Sequence, residues 1–256
     1  MKDGFIRVAA ATPDIHVADP QYNSEQIIEL MEQGSTRGVK VMAFPELCLT
    51  AYTCSDLFLQ ESLLREAKKE LKRILQASKS KDMILFVGMP WMHKGKLYNV
   101  AAVLNRGRIL GIVPKKHLPN YSEFYELRHF NPGMEKVEMT DWEGVQVPMG
   151  MNLLFACRTM PELVLAAELC EDVWVPCPPS ISHALAGATV IANCSASDET
   201  TGKDQYRYNL ICGQSARLVC GYIYANAGEG ESSQDLVFGG QNIIAENGTC
   251  LVQSDR

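Results

Sequence analysis

Apolar runs of strand length alternate with amphipathic stretches of helical length along the whole chain of 256 residues. Runs that are apolar at almost every position indicate strands covered on both faces, as in parallel sheets flanked by helices. The pattern therefore predicts an α/β protein. Strands of this kind are expected over residues 5–11, 39–44, 83–88, 163–170, 189–194 and 219–225.

Helices are expected between these strands, because apolar residues recur there at helical spacing. Ser24 is the expected N-cap of a first helix that ends near Gly38, and a second, longer helix is expected to begin at Asp56. Gly107 suits the turn of a hairpin. Further elements are predicted as hairpin strands at 97–104 and 108–113, helices at 180–187 and 204–218, and short strands at 236–239, 241–245 and 250–252.

Three chemically active residues share one position in this pattern. Glu46, Lys115 and Cys170 each stand at the end of a predicted buried strand. Singly, they have ordinary explanations: a helix cap, an exposed lysine and a core thiol. Ligands of parallel α/β sheets gather at the carboxyl ends of strands, so the three are expected to meet. A thiol nucleophile, a carboxylate base and an ammonium for the oxyanion form a set that cleaves amides.

Composition excludes several other classes of function. The net charge of −6 does not indicate binding to nucleic acid or to an anionic membrane. The nine cysteines form no CxxC pair, and neither a signal peptide nor an apolar run of membrane length is seen. The five histidines lack metal-binding spacing, and there is no GxSxG motif. We therefore expect one cytoplasmic domain over residues 1–256, with reduced thiols and without a metal site.

The residues around this set carry a family resemblance. The segments 44–47, 114–115 and 168–172 resemble the three signature segments of the nitrilase (carbon–nitrogen hydrolase) superfamily, in its chain order of Glu, Lys and Cys. The stretches 118–126 and 226–240 are similar to the glutaminase half of glutamine-dependent NAD synthetases. The resemblance implies a four-layer αββα sandwich in a single domain, often paired with a second subunit, so a homo-oligomer is expected.

The resemblance also implies a reaction. Glu46 would take the proton of Cys170, whose thiolate would attack the side-chain amide of glutamine. Lys115 and the backbone N–H of Glu171 would stabilise the oxyanion, and water would then hydrolyse the thioester. Glu126 would add a second carboxylate near Lys115.

Substrate binding is expected to involve Glu126 and, again by resemblance, four further residues: Tyr121, Glu171, Ser197 and Lys203. Lys203 stands where the family more often has arginine, and lysine cannot grip a carboxylate with two parallel hydrogen bonds. The alternatives are that Ser197 and Lys203 belong to an ordinary polar loop and that Tyr121 only packs beneath its own loop.

A synthetase domain follows the glutaminase domain in that family and would use ATP and Mg²⁺. Its pyrophosphate loop does not occur before Arg256, so we expect either a fragment of a longer protein or a stand-alone relative, with no cofactor for this domain. The expected partners are glutamine and a synthetase domain that accepts ammonia. Two other functions stay open: hydrolysis of another small amide, and a catalytically idle scaffold that docks a synthetase.

Overall fold

The computed structural model describes residues 4–255, and this part of the chain contains thirteen strands and four α-helices. The helices are α1 (Pro20–Thr36), α2 (Glu61–Ser78), α3 (Pro179–Leu185) and α4 (Lys203–Leu218). The first seven strands are β1 (Val8–Ala10), β2 (Val41–Ala43), β3 (Ile84–His93), β4 (Lys96–Asn105), β5 (Arg108–Pro114), β6 (Glu138–Trp142) and β7 (Val145–Met149). The others are β8 (Phe155–Ala156), β9 (Val164–Leu169), β10 (Val190–Ser195), β11 (Gly221–Asn226), β12 (Ile243–Glu246) and β13 (Thr249–Gln253).

The strands form two mixed sheets. The first has seven strands in the order β1-β2-β3-β4-β5-β7-β6, and the second has six in the order β13-β12-β11-β10-β9-β8. Strands β1, β2 and β3 run parallel, as do β9, β10 and β11. The pairs β3–β4 and β4–β5 within the first sheet and the pair β11–β12 of the second are antiparallel. In each sheet, the carboxyl ends of these parallel strands therefore lie at the same end of the sheet.

The two sheets pack face to face, and helices cover their outer faces. Ile27 of α1 and Leu71 of α2 lie in the core on the outer face of the first sheet. Phe86 and Leu165 contribute to the core between the sheets. Ile211 of α4 lies in the core on the outer face of the second sheet. This arrangement confirms the expected four-layer αββα sandwich. No helix within residues 4–255 is long and apolar enough to cross a membrane.

The predicted start of the first helix is wrong. Helix α1 begins at Pro20, and the Asp19 carboxylate accepts a hydrogen bond of 3.1 Å from the Tyr22 N–H. Aspartate is a strong N-cap and proline suits the first helical position, so this pair outweighs Ser24. Ser24 is instead buried within the helix, where its hydroxyl donates to Glu70 over 2.6 Å.

The predicted start of the second helix is also wrong. Residues Tyr52–Leu59 form 3₁₀ turns, and α2 begins at Glu61. Ser55 has a φ of +49°, which interrupts any regular helix there. Asp56 accepts hydrogen bonds from Arg128 instead of starting the helix.

Two strand predictions also need correction. Residues 236–239 form no strand and make a single ladder-like contact, from Glu199 N–H to Val237 O at 2.8 Å. The third predicted strand, 83–88, continues to His93 and pairs with β4 as a hairpin. Its turn at Lys94 and Gly95, both at positive φ, was not recognised in the sequence.

Candidate active site

Glu46, Lys115 and Cys170 lie together at one end of the sandwich. Each follows closely on the carboxyl end of a strand: β2, β5 and β9 respectively. The Lys115 Nζ lies 2.6 Å from Glu46 Oε1, and both side chains are fully buried. The Cys170 thiol is close enough for both charges to act on its pKa. The structure therefore brings together the three residues that the sequence pattern predicted to meet.

Glu126 completes a buried cluster of Glu46, Lys115 and Glu126. The Lys115 Nζ is 2.6 Å from Glu126 Oε1, and the Tyr52 hydroxyl donates to the same oxygen at 2.8 Å. Burial alone would lower the pKa of Lys115, but the two carboxylates raise it well above its ordinary value. Burial raises the pKa of Glu126 to about 7, although Lys115 acts in the opposite direction. Lys115 is therefore a permanent cation in the buried cluster.

The two oxygens of Glu46 differ in their contacts. Oε1 accepts from Lys115 and from the Asn99 amide, the latter at 2.5 Å. Oε2 is buried and has no hydrogen-bond partner within the described residues. An unpartnered buried carboxylate oxygen is costly to keep, so Oε2 is open to a hydrogen bond from an incoming donor. Asn99 was missed in the sequence, although an amide inside the otherwise apolar and aromatic strand 97–104 was a usable signal.

Cys170 occupies a strained turn. Its φ is +40°, in the left-handed region that non-glycine residues rarely adopt. The turn is held because the Cys170 N–H donates to Asn193 Oδ1 and the Leu169 N–H donates to Asp172, both at 3.1 Å. Burial, and then Glu46, raise the pKa of the Cys170 thiol, with Lys115 opposing them. The resting thiol is therefore neutral, and a nucleophilic role would need a base to remove its proton.

Asp172 links the cysteine turn to the lysine segment. Besides the Leu169 N–H, its carboxylate accepts from the backbone N–H groups of His117 at 2.8 Å and Lys116 at 3.3 Å. Burial, and then the charge of Glu168, raise the pKa of Asp172 to about 7, against the lowering by the Leu169 and His117 N–H donors. Lys116 directly follows Lys115, so Asp172 fixes the spacing of the two reactive segments. The sequence placed Asp172 in the signature segment but indicated no such role.

Tyr121, Glu171 and Lys203 lie near one another at the rim of the site. The Tyr121 hydroxyl is 3.1 Å from both carboxylate oxygens of Glu171. The Lys203 ammonium pairs with Asp198, lies 5.4 Å from the centroid of a Trp174 ring, and acts on the pKa of Glu171. Burial is the largest influence on that carboxyl and raises its pKa. The rim thus presents the Glu171 carboxylate and the Lys203–Asp198 ion pair.

Ser197 is held in place by a residue that the sequence analysis missed. Its hydroxyl oxygen lies 3.2 Å from an Nη2 donor of Arg207, and its backbone N–H donates to Asn226 at 2.8 Å. Arg207 is fully buried and also pairs with Glu199 at 2.7 Å. A buried arginine in α4 left no periodic signal in the sequence, because its partners are loop backbone and side-chain atoms.

A cavity of about 220 Å³ adjoins the buried cluster. It reaches the cluster through Tyr52 and Glu126, and residues 232–236 form another wall. The neighbouring Glu231 carboxylate accepts the backbone N–H groups of Tyr52 at 2.7 Å and Thr53 at 3.0 Å, which ties the 228–233 loop to this wall. Within residues 4–255, no group of three or more His, Cys, Asp or Glu side chains is arranged to hold a metal ion.

The chain resembles known sequences over almost its whole length. The family model for carbon-nitrogen hydrolases matches residues 7–256. The glutamine-dependent NAD(+) synthetase of Mycobacterium tuberculosis is 43% identical over 253 residues, which cover 99% of this chain and 37% of that protein. The synthetase of Aquifex aeolicus is 31% identical over 240 residues, covering 94% of this chain and 38% of that protein. The chain thus spans less than half the length of these relatives.

Solved structures agree with the sequence comparison. A crystal structure of a glutamine-dependent NAD(+) synthetase from Cytophaga hutchinsonii superposes with a TM-score of 0.88 and 28% identity, covering 98% of this chain and 40% of that chain. An amidase from Nesterenkonia sp. shares the fold, with a TM-score of 0.77 and 19% identity over 100% of this chain and 88% of that one. From the family match and these likenesses, the chain belongs to the carbon–nitrogen hydrolase family.

Proposed function

We propose that this domain hydrolyses the side-chain amide of glutamine to glutamate and ammonia through a thioester on Cys170. The unpartnered Oε2 of Glu46 carries the proposal, because it is a buried carboxylate oxygen open to a hydrogen-bond donor. The same side chain pairs with the Lys115 ammonium and acts on the pKa of the Cys170 thiol. The 43% identity to a glutamine-dependent NAD(+) synthetase supports glutamine as the substrate.

In the first half of the reaction, Glu46 accepts the thiol proton while the sulfur of Cys170 attacks the amide carbon. Lys115 and the backbone N–H of Glu171 stabilise the negative oxygen of the tetrahedral intermediate. The carbon–nitrogen bond then breaks, and the leaving nitrogen takes the proton held by Glu46. Ammonia departs, and the γ-glutamyl group remains on the sulfur.

In the second half, Glu46 takes a proton from water, and the resulting hydroxide attacks the thioester carbon. The carbon–sulfur bond breaks, glutamate leaves, and the Cys170 thiolate recovers its proton from Glu46. Lys115 keeps its charge through both halves because the two adjacent carboxylates raise its pKa. The Glu126 carboxylate holds the Lys115 amine in place.

Selection of free glutamine is assigned to the rim of the site. Glu171, oriented by the Tyr121 hydroxyl, suits the α-ammonium of the substrate, and Lys203 suits its α-carboxylate. Lys203 already pairs with Asp198, so it presents a single shared charge rather than a fork. Ser197, held by Arg207, would supply a further polar contact. The site would therefore favour amides that carry an α-ammonium and an α-carboxylate over amides without these charged groups.

The released ammonia would serve a synthetase domain, since the relatives are named glutamine-dependent NAD(+) synthetases. ATP and Mg²⁺ would belong to that domain and not to this one. We also propose that the chain forms a homo-oligomer, because the resemblance to this family implies one.

Ammonia release from a panel of amides tests the function. We expect glutamine to be hydrolysed, and Cys170→Ala to lower the rate at least about 1000-fold because the nucleophile is lost. Cys177→Ala is the matched control, since Cys177 is an exposed free thiol outside the site, and it should leave the rate unchanged.

Two results would redirect the proposal. Hydrolysis of another small amide with glutamine inert would make the chain a different carbon–nitrogen hydrolase. If no amide is hydrolysed, and a glutamine-mimicking alkylating agent leaves Cys170 unlabelled in the folded protein, the chain is a catalytically idle scaffold.

A further inference from the structure

A buried carboxylate with no part in the proposed reaction lies two residues before the nucleophile. Glu168 on β9 is 1% exposed. Its two oxygens accept hydrogen bonds from the Tyr222 hydroxyl and from the Ser180 backbone N–H, the latter at 2.8 Å. These partners are neutral groups rather than a cation. Burying a carboxylate is costly unless it is paired, so the presence of Glu168 calls for a physical reason.

A series of hydrogen bonds leads from Glu168 to Cys170, and each bond in it has a defined donor and acceptor. Glu168 and Asn193 are register partners on β9 and β10, and Tyr222 lies on the next strand, β11. The Tyr222 proton points to Glu168, so its oxygen is free to accept the Asn193 Nδ2 donor at 3.1 Å. The amide of Asn193 then has its Oδ1 facing the Cys170 N–H, which can only donate. Every group in the series thus has one fixed orientation.

This series of hydrogen bonds ends at Cys170, the proposed nucleophile, which lies in a strained turn. A left-handed conformation is unfavourable for a non-glycine residue, and Cys170 adopts it at φ +40°. The bond from its N–H to Asn193 offsets part of that cost and fixes the direction of the Cα–Cβ bond. It also removes this N–H from the groups available to an oxyanion, which leaves Lys115 and the Glu171 N–H for that task.

We propose that Glu168, Tyr222 and Asn193 are positioning residues for the thiol nucleophile. The Glu168 carboxylate fixes the Tyr222 hydroxyl, and that hydroxyl fixes the Asn193 amide. Asn193 then holds Cys170 in the conformation that keeps its sulfur beside Glu46 and Lys115. The assignment rests on the proposed function only in taking Cys170 as the attacking residue.

The variant Tyr222→Phe tests this assignment because it keeps the buried ring and removes only the hydroxyl. We expect kcat for glutamine hydrolysis to fall on the order of a hundredfold, as for other small misplacements of reacting groups. KM should change little, because Tyr121 and Glu171 at the rim are untouched. Alkylation of Cys170 by 2-chloroacetamide, followed by mass spectrometry, should slow as well. A merely structural role would lower the melting temperature and leave both rates unchanged.

Tyr98→Phe is the matched control, since Tyr98 is a buried tyrosine of the core on the far side of the first sheet. It should leave kcat and alkylation unchanged. Asn193→Ser, whose side chain is too short to reach both the Cys170 N–H and Tyr222, should repeat the losses seen with Tyr222→Phe. A folded Tyr222→Phe or Asn193→Ser variant with wild-type kcat and alkylation rate overturns the assignment.

Two measurements keep the assignment testable on its own. If the wild type fails to hydrolyse glutamine, the proposed function fails, but the alkylation rates still compare variants with wild type. If neither variant folds, amide hydrogen exchange by NMR in the wild type decides. Strong protection of the Cys170 N–H supports the bond to Asn193, and exchange as fast as that of an open loop rules it out.

Discussion

Two clusters of three charges lie at opposite ends of the strands of the first sheet. The buried cluster lies at the carboxyl ends of strands, whereas the exposed cluster, defined as Lys40, Asp82 and Arg106, lies at the other end. Lys40 directly precedes β2, Asp82 comes shortly before β3, and Arg106 is in the turn between β4 and β5. The lysine-to-carboxylate distance is 2.6 Å in both clusters. They therefore differ in burial and not in contact distance.

Burial reverses the sign of the pKa shift. In the exposed cluster, hydrogen bonds from Lys40 and then Arg106 lower the pKa of Asp82 to about 2. In the buried cluster, loss of solvent outweighs Lys115 and raises the pKa of Glu126 to about 7. Short ion-pair distances therefore do not identify a reactive site in this sheet. Of these two clusters, the one that excludes water holds the carboxyl group whose pKa is about 7.

The largest expected difference between the clusters comes from removing the lysine of each. Lys115→Met leaves two buried carboxylates without their cation, so we expect a loss of about 3–5 kcal/mol in the free energy of unfolding. Ammonia release should fall at least about 1000-fold, because the oxyanion loses its main stabilising charge. Lys40→Met should cost less than about 1 kcal/mol and leave activity unchanged. Urea unfolding and an ammonia assay measure both effects.

Similar losses of stability in the two lysine variants would contradict the role given to burial. That result would mean that water enters the buried cluster and screens it as it does the exposed one. If Lys115→Met loses stability but keeps glutamine hydrolysis, the oxyanion role of Lys115 is wrong while the burial argument stands.

A second expected difference lies in how stability depends on pH. The folded pKa of Glu126 lies near 7, above its ordinary value of 4.5, so the native state keeps a proton that the unfolded chain releases. The contribution of Glu126 to stability is therefore greatest below about pH 4.5 and falls as pH rises towards 7. Glu126→Gln removes this titration. As pH rises from 5 to 7.5, the free energy of unfolding measured in urea should change in favour of the variant relative to wild type. A stability difference that does not depend on pH would contradict the raised pKa of Glu126.

The sequence predicted which candidate site residues would meet better than it predicted the residues that support them. Glu46, Lys115 and Cys170 were found because apolar strands are legible and their ends mark one edge of a sheet. Asn99 and Asn193 were not, because their partners lie 53 and 23 residues away and no local pattern records such contacts. The N-cap at Ser24 failed for a local reason, since a stronger capping pair lies just upstream.

Removing the carboxylate of the exposed cluster should have only a small effect on stability. Asp82 has a folded pKa of about 2, below its ordinary value of 3.8, so its contribution to stability is present above about pH 4 and is lost as pH falls through 2. Its side chain is 62% exposed, so solvent screening limits that contribution, and Asp82→Asn should cost less than about 1 kcal/mol at pH 7. The cost should shrink further in 1 M salt, where the screening length is about 3 Å. Urea unfolding at low and high salt measures it. A salt-independent cost of several kcal/mol would show that the exposed cluster holds the sheet edge by packing, and that its charges are not the reason for the difference from the buried cluster.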